Sequence, residues 1–261
     1  MLLILTGDVE IGKTTWLTKA ADALTAAGVR CDGVLAPGVW QRRADDSLDK
    51  LGIDNLLLPS HEKIPFARRA DLAQAEGVFD EGAQSAKAQL KWHISDRAIA
   101  RVNAHFDALM EENGYPVENM RGVETQAAMP SDKERGIAPA PAAAETTPSS
   151  DLAAGSDPSL RCQPPSCRQS EPEQRPGQRQ RVLIVDELGQ LELLRDEGLT
   201  SAVRMLEKGP CDIYAHAILI ARDRFGLVEA AEQRFAASWG GSVRIAPTDD
   251  AWGRWVAPLI A

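Results

Sequence analysis

Gly7-Asp8-Val9-Glu10-Ile11-Gly12-Lys13-Thr14 decides how this chain is read. The stretch fits the pattern G-x-x-x-x-G-K-[ST], a loop whose backbone cradles polyphosphate. Before it, Leu2-Leu3-Ile4-Leu5 reads as a buried strand. After it, Trp16, Leu17, Ala20, Ala21 and Leu24 recur at helical spacing. An ordinary glycine turn is the plain alternative, and the flanking strand and helix weigh against it. Loop N–H groups and the helix N-terminus point together at phosphate oxygens. The pattern therefore predicts that Gly7, Asp8, Val9, Glu10, Ile11, Gly12, Lys13 and Thr14 wrap a nucleoside triphosphate. Lys13 would neutralise the outer phosphates and serve catalysis, and the Thr14 hydroxyl would hold Mg²⁺. Glu10 stands where many such loops carry glycine. A carboxylate beside polyphosphate is repelled, so Glu10 is expected to face solvent.

The chain has 261 residues, 44% of them apolar and 26% charged, an ordinary globular balance. A net charge of −9 argues against a general nucleic-acid binder, which usually carries a basic face. No apolar run approaches the roughly 18 residues of a membrane helix. The N-terminal apolar run is short and has no basic residues before it, so no signal peptide is expected and the cytoplasm is the expected location. Cys31, Cys162, Cys167 and Cys211 form no metal pattern and read as free thiols.

Composition changes near residue 113 and again near 181. Ten of the sixteen prolines lie between, with runs such as Ala138-Pro139-Ala140-Pro141 and Gln174-Arg175-Pro176-Gly177-Gln178. Such a segment buries too little apolar surface to offset the entropy of ordering. Residues 113–180 are therefore expected to be a disordered insertion, which a domain tolerates because loop-closure entropy grows slowly with length. The folded unit is expected to be residues 1–112 joined to 181–261, and a protein partner docking on the insertion is possible.

That unit alternates strand and helix signals. Strands are predicted at residues 2–6, 31–36, 55–58, 182–185, 213–221 and 242–245. Helices are predicted up to Ala27, along the face of Trp92, Ser95, Ile99, Val102, Phe106 and Leu109, over Leu199–Glu207, from Leu227 and from Asp249. The alternation predicts an α/β fold, a mostly parallel sheet with helices on both faces, and the phosphate loop after its first strand makes the P-loop nucleoside-triphosphatase type the expected one.

Val182-Leu183-Ile184-Val185 is followed at once by Asp186 and Glu187. Alone, the pair reads as two solvated acids at a strand end. Behind a phosphate loop, the position is where parallel sheets bind ligands. Asp186 would complete the Mg²⁺ site with Thr14, and Glu187 would orient or deprotonate the attacking water.

The stretch Asp186-Glu187-Leu188-Gly189-Gln190-Leu191-Glu192 resembles the second motif, D-E-[IL]-G-x-[ML]-E, of the small P-loop nucleoside-triphosphatases first known from thermophiles. Cys31-Asp32-Gly33-Val34-Leu35 is similar to that family's G-F strand, and the motif order agrees. The resemblance covers most of residues 1–40 and 181–261. It implies a nucleotide-binding role for Gly7, Gly12, Lys13, Thr14 and Thr15, and metal and water roles for Asp186 and Glu187. Glu192 matches the last acid and receives no chemical role. The chain departs from the family at Glu10, at Pro37-Gly38-Val39-Trp40-Gln41-Arg42-Arg43 where an acid and an arginine are common, and in its long insertion.

Transition-state charge calls for a further cation. Arg222 is the leading candidate, with Arg224 beside it and Arg68 and Arg69 behind; each also reads as a plain surface arginine. His61, His93, His105 and His216 form no ligand set, Trp16 and Trp92 read as core residues on helical faces, and no N-K-x-D guanine-reading motif occurs. Three readings follow: Mg²⁺-dependent triphosphate hydrolysis, small-molecule phosphorylation with residues 40–112 as acceptor pocket, or a non-hydrolysing nucleotide switch.

Overall fold

The computed structural model describes residues 1–114 and 181–260. The chain divides into one unit of Met1–Glu118 with Pro176–Ala261 and a second of Asn119–Arg175. The predicted insertion, from Tyr115 onward, lies outside the described residues, as do Cys162 and Cys167.

The apolar run at the N-terminus forms β1 (Leu2–Leu5), and the glycine loop leads into α1 (Lys13–Ala26). Next come β2 (Arg30–Leu35), β3 (Gly38–Arg42), β4 (Leu48–Leu58) and β5 (Glu62–Arg69). Two short helices, α2 (Ala70–Ala75) and α3 (Gln84–Lys87), precede β6 (Trp92–Ile94) and the long α4 (Asp96–Glu112). After the insertion run β7 (Arg181–Leu188), α5 (Gln190–Arg195), α6 (Thr200–Lys208), β8 (Tyr214–Ala221), α7 (Leu227–Phe235) and β9 (Ser242–Ile245). The C-terminal helical segment is α8 (Asp249–Ala251), a π-helical turn (Trp252–Val256) and α9 (Ala257–Ile260).

The fold is mixed α/β around a nine-stranded sheet in the order β6-β5-β4-β2-β7-β8-β1-β9, with β3 also paired to β4. Five adjacent strands, β2, β7, β8, β1 and β9, are parallel. The remaining four continue the sheet in antiparallel fashion from β2. The parallel half follows the continuous apolar runs. Leu3, Leu5, Val182, Ile184, Ile218 and Ile220 cluster with Trp16, Leu17, Ala20, Ala21 and Leu24 of α1. Their alternates Leu2, Ile4, Leu183, Val185 and Leu219 are just as buried. Because successive side chains point to opposite faces, both faces of these strands are covered. Ile99, Val102 and Phe106 of α4 and Val228 and Phe235 of α7 are buried outside the α1 cluster, which supplies the second layer.

The antiparallel half corrects the sequence reading. Only residues 55–58 are predicted there, whereas β4 runs eleven residues and β3, β5 and β6 accompany it. Trp92 is not on a helical face: it lies in β6, Ser95 caps α4 through its hydroxyl, and the helix begins at Asp96. Leu199 likewise sits before α6, and α5 is an additional helix.

A polar network around the buried Asp32 joins β2, α4, β7 and β8 at the N-terminal rim of the parallel strands. Asp32, fully buried, accepts from Arg30 Nε at 2.7 Å, Arg181 at 3.3 Å and the Tyr214 hydroxyl at 2.5 Å. Glu112 accepts from the two terminal guanidinium nitrogens of Arg30 at 2.9 Å and from Arg181 at 3.2 Å. Burial, and then the Asp32 carboxylate, push the Tyr214 phenol well above its usual range. The last helical residue before the insertion and the first strand residue after it are thus pinned together, at the rim opposite the glycine loop.

Candidate functional site

The glycine loop bridges the C-terminal end of β1 and the N-terminus of α1. Gly12 caps the helix at φ 89°, a left-handed conformation open to glycine and strained for other residues. Its carbonyl accepts from Trp16 N at 2.8 Å, starting the helix. Glu10 is exposed, as are Asp8, Val9, Ile11 and Thr15. Lys13 is buried, and its ammonium donates to the carbonyls of Gly7 at 2.9 Å and Asp8 at 2.5 Å. Burial holds its pKa below the ordinary lysine value. The nearby Glu187 carboxylate opposes that shift, and the Arg222 charge adds to it.

β7 runs beside β2 in the same direction, so its last residues reach the rim that carries the loop. There the Thr14 hydroxyl donates to Asp186 Oδ1 at 3.3 Å, joining positions 172 residues apart. The Ala36 N–H donates to Asp186 Oδ2 at 3.0 Å. Asp186 is 1% exposed. Desolvation pushes its carboxyl up to about 7, the Ala36 hydrogen bond pulls back, and the Glu187 charge adds to the rise. Glu187 forms an ion pair with Arg222, which follows β8. The expected site residues Lys13, Thr14, Asp186, Glu187 and Arg222 therefore come together on one sheet rim.

The other arginines do not join them. Arg68 pairs with Glu76, and Arg69 with Asp49 and Asp71. Arg224 is exposed. Among the described residues no group of three or more His, Cys, Asp or Glu could hold a metal, and no helix is long and apolar enough to cross a membrane. Cys31 is buried, which pushes its thiol up to about 11, out of the reactive range.

Two residues gain roles that the sequence reading did not give them. Glu192 is buried and accepts from Gly189 N at 2.8 Å and Leu199 N at 3.0 Å, so it staples the segment after Glu187 to the start of α6. Gly198 makes room for it at φ +71°; a Cβ there would lie 2.1 Å from Glu192 Oε1. Gly198→Ala is expected to lower stability by about 2–4 kcal/mol, read by urea unfolding, since it adds a collision to backbone strain. The second residue is Lys50 of β4, which lies in the field of Arg222, Glu187, Glu10 and Asp186.

A cavity of about 530 Å³ opens on the antiparallel half, bounded by Val39, Gly52, Asp54, Phe66, His93 and Arg97. Among the described residues the Nδ1 atom of the buried His93 has no hydrogen-bond partner.

No protein-family model, no curated protein and no solved structure matches the chain. The functional reading rests on the site itself.

Proposed function

We propose that this chain binds a Mg²⁺–nucleoside triphosphate on the glycine loop and hydrolyses it to the diphosphate and phosphate, as a P-loop-type enzyme. The observation that carries this reading is the Thr14 hydroxyl against the buried Asp186 carboxylate. A hydroxyl and a carboxylate are hard oxygen donors suited to Mg²⁺, which keeps water and takes phosphate oxygens for the rest of its shell. Thr14 and Asp186 would hold the ion, which would neutralise charge on the phosphate oxygens. A carboxyl poised near neutrality ionises readily when a cation arrives. Lys13 exchanges the Gly7 and Asp8 carbonyls for phosphate oxygens. Glu187 accepts the proton of the attacking water, oriented by its pairing with Arg222.

Phosphate release from ATP, GTP, CTP and UTP, with and without Mg²⁺, tests the reading. Turnover is expected only with the metal. Glu187→Gln is expected to retain nucleotide affinity and lose about 100-fold or more in kcat. Turnover by that variant at the parent rate would remove Glu187 from the chemistry.

The cavity beside Phe66 and His93 favours a second reading, transfer of the phosphoryl group to a small hydroxyl-bearing acceptor. A metabolite that speeds ATP consumption and emerges phosphorylated would establish it.

A further inference from the structure

We propose that Lys50 is the further cation of this site, delivered by the antiparallel strands to the γ-phosphate and its transition state; this rests on the hydrolytic reading above.

The topology brings it there. Leu35, the last residue of β2, faces Leu56 of β4. Because β4 runs antiparallel, its residues before Leu56 extend past the end of β2, on the side of the glycine loop. Two register shifts interrupt the pairing along this part, opposite Val39/Trp40 and at Ile53/Asp54. Lys50 ends with its ammonium 5.5 Å from the ring centres of both Trp40 and Trp92. Trp40 is its cross-strand partner on β3, and Trp92 stands on β6. Two indole faces can hold a cation without neutralising it.

Most of the other candidate cations already have partners, and Arg224 is exposed. Arg222 is paired with Glu187, Arg68 with Glu76, and Arg69 with Asp49 and Asp71. Lys13 is turned onto loop carbonyls. Among the described residues no carboxylate pairs with Lys50, yet Glu187, Glu10 and Asp186 all act on its charge. Lys50 is half-buried; burial, then Arg222, hold its pKa below the ordinary lysine value, and an incoming anion would favour its charged form. A triphosphate supplies that anion. During hydrolysis water adds to Pγ and gives its proton to Glu187, while the bond from Pγ to the bridging oxygen breaks and its electron pair moves onto the β-phosphate. Lys50 would donate to the γ-phosphoryl oxygens, where charge must be held as the bond breaks.

Lys50→Met keeps the chain packed between the indoles and removes the charge; Lys50→Arg restores it. Nucleoside diphosphate affinity is expected to stay within about twofold of the parent, whereas kcat falls about 100-fold or more in Lys50→Met and partly recovers in Lys50→Arg. Binding of the Mg²⁺–diphosphate–aluminium fluoride complex, measured by calorimetry, should be lost in Lys50→Met alone. Parental kcat and parental aluminium fluoride binding in Lys50→Met would overturn the assignment while leaving hydrolysis intact. A parent protein that binds nucleotide without turning it over would overturn both.

Discussion

Lys13→Ala is expected to abolish binding of Mg²⁺–triphosphate, with a loss of about 100-fold or more in affinity by calorimetry. On the proposed reading the ammonium leaves the loop carbonyls for the outer phosphates, a charge that backbone N–H groups cannot replace. The same variant is expected to unfold at a temperature no lower than the parent when nucleotide is absent. In the nucleotide-free protein the hydrogen bonds of Lys13 among the described residues go to the carbonyls of Gly7 and Asp8, and burial disfavours its charged form. A base whose pKa is depressed by folding weakens the folded state wherever it is protonated, so neutral pH carries that penalty and alanine relieves it. Lost binding with a maintained melting temperature would separate a binding role from a structural one. Parental affinity in Lys13→Ala would sink the whole reading of the glycine loop.

Asp186→Asn is expected to push function and stability in opposite directions. Turnover should fall about 1000-fold or more, because an amide is a poor Mg²⁺ ligand and the Thr14 hydroxyl alone cannot hold the ion. Stability of the nucleotide-free protein should rise in alkaline conditions. The sign follows from the pKa. Folding raises the Asp186 carboxyl to about 7, above the value in an unfolded chain. The folded state therefore binds the proton more tightly, and the stability this gives is complete below the unfolded pKa, near 4, and lost as pH rises through about 7. At about pH 8 the parent buries a carboxylate, whereas asparagine stays neutral and its carbonyl still accepts from Ala36 N; a gain of about 1–3 kcal/mol is expected there, and little difference at about pH 5. Thermal unfolding at both pH values checks this, and saturating Mg²⁺–nucleotide should restore the parent's advantage. Equal melting curves at both pH values would mean that Asp186 is not held near neutrality.

Much of the parallel half was legible because its signals are local. Leu2–Leu5, Val182–Val185 and Ala217–Ala221 are apolar at every position, which only strands covered on both faces require. The antiparallel half left no such mark. Trp40 is 45% exposed, Leu48 61%, and Pro65 interrupts β5, a residue that argues against a strand unless it lies near an edge or a bulge. Trp92 fell in helical register with Ser95 and Ile99 by spacing alone, yet Trp92 belongs to β6 and the cap at Ser95 divides it from α4. Glu192 was visible as a motif residue without a task, because its partners Gly189 N and Leu199 N are backbone groups that no side-chain pattern announces.

The chain's sequence alone determined the glycine loop, the acids after the central apolar run and the parallel strands that carry both, since each depends on contiguous residue types. Tertiary structure decided which charges remain available. Arg222 was drawn to Glu187, Arg69 to Asp49 and Asp71, and Lys50, unmarked in the sequence, was set against two indoles and within the field of Asp186 and Glu187. The reason is that ion pairing and desolvation act over distances in space, across strands paired from remote parts of the chain, and no spacing in the sequence encodes them.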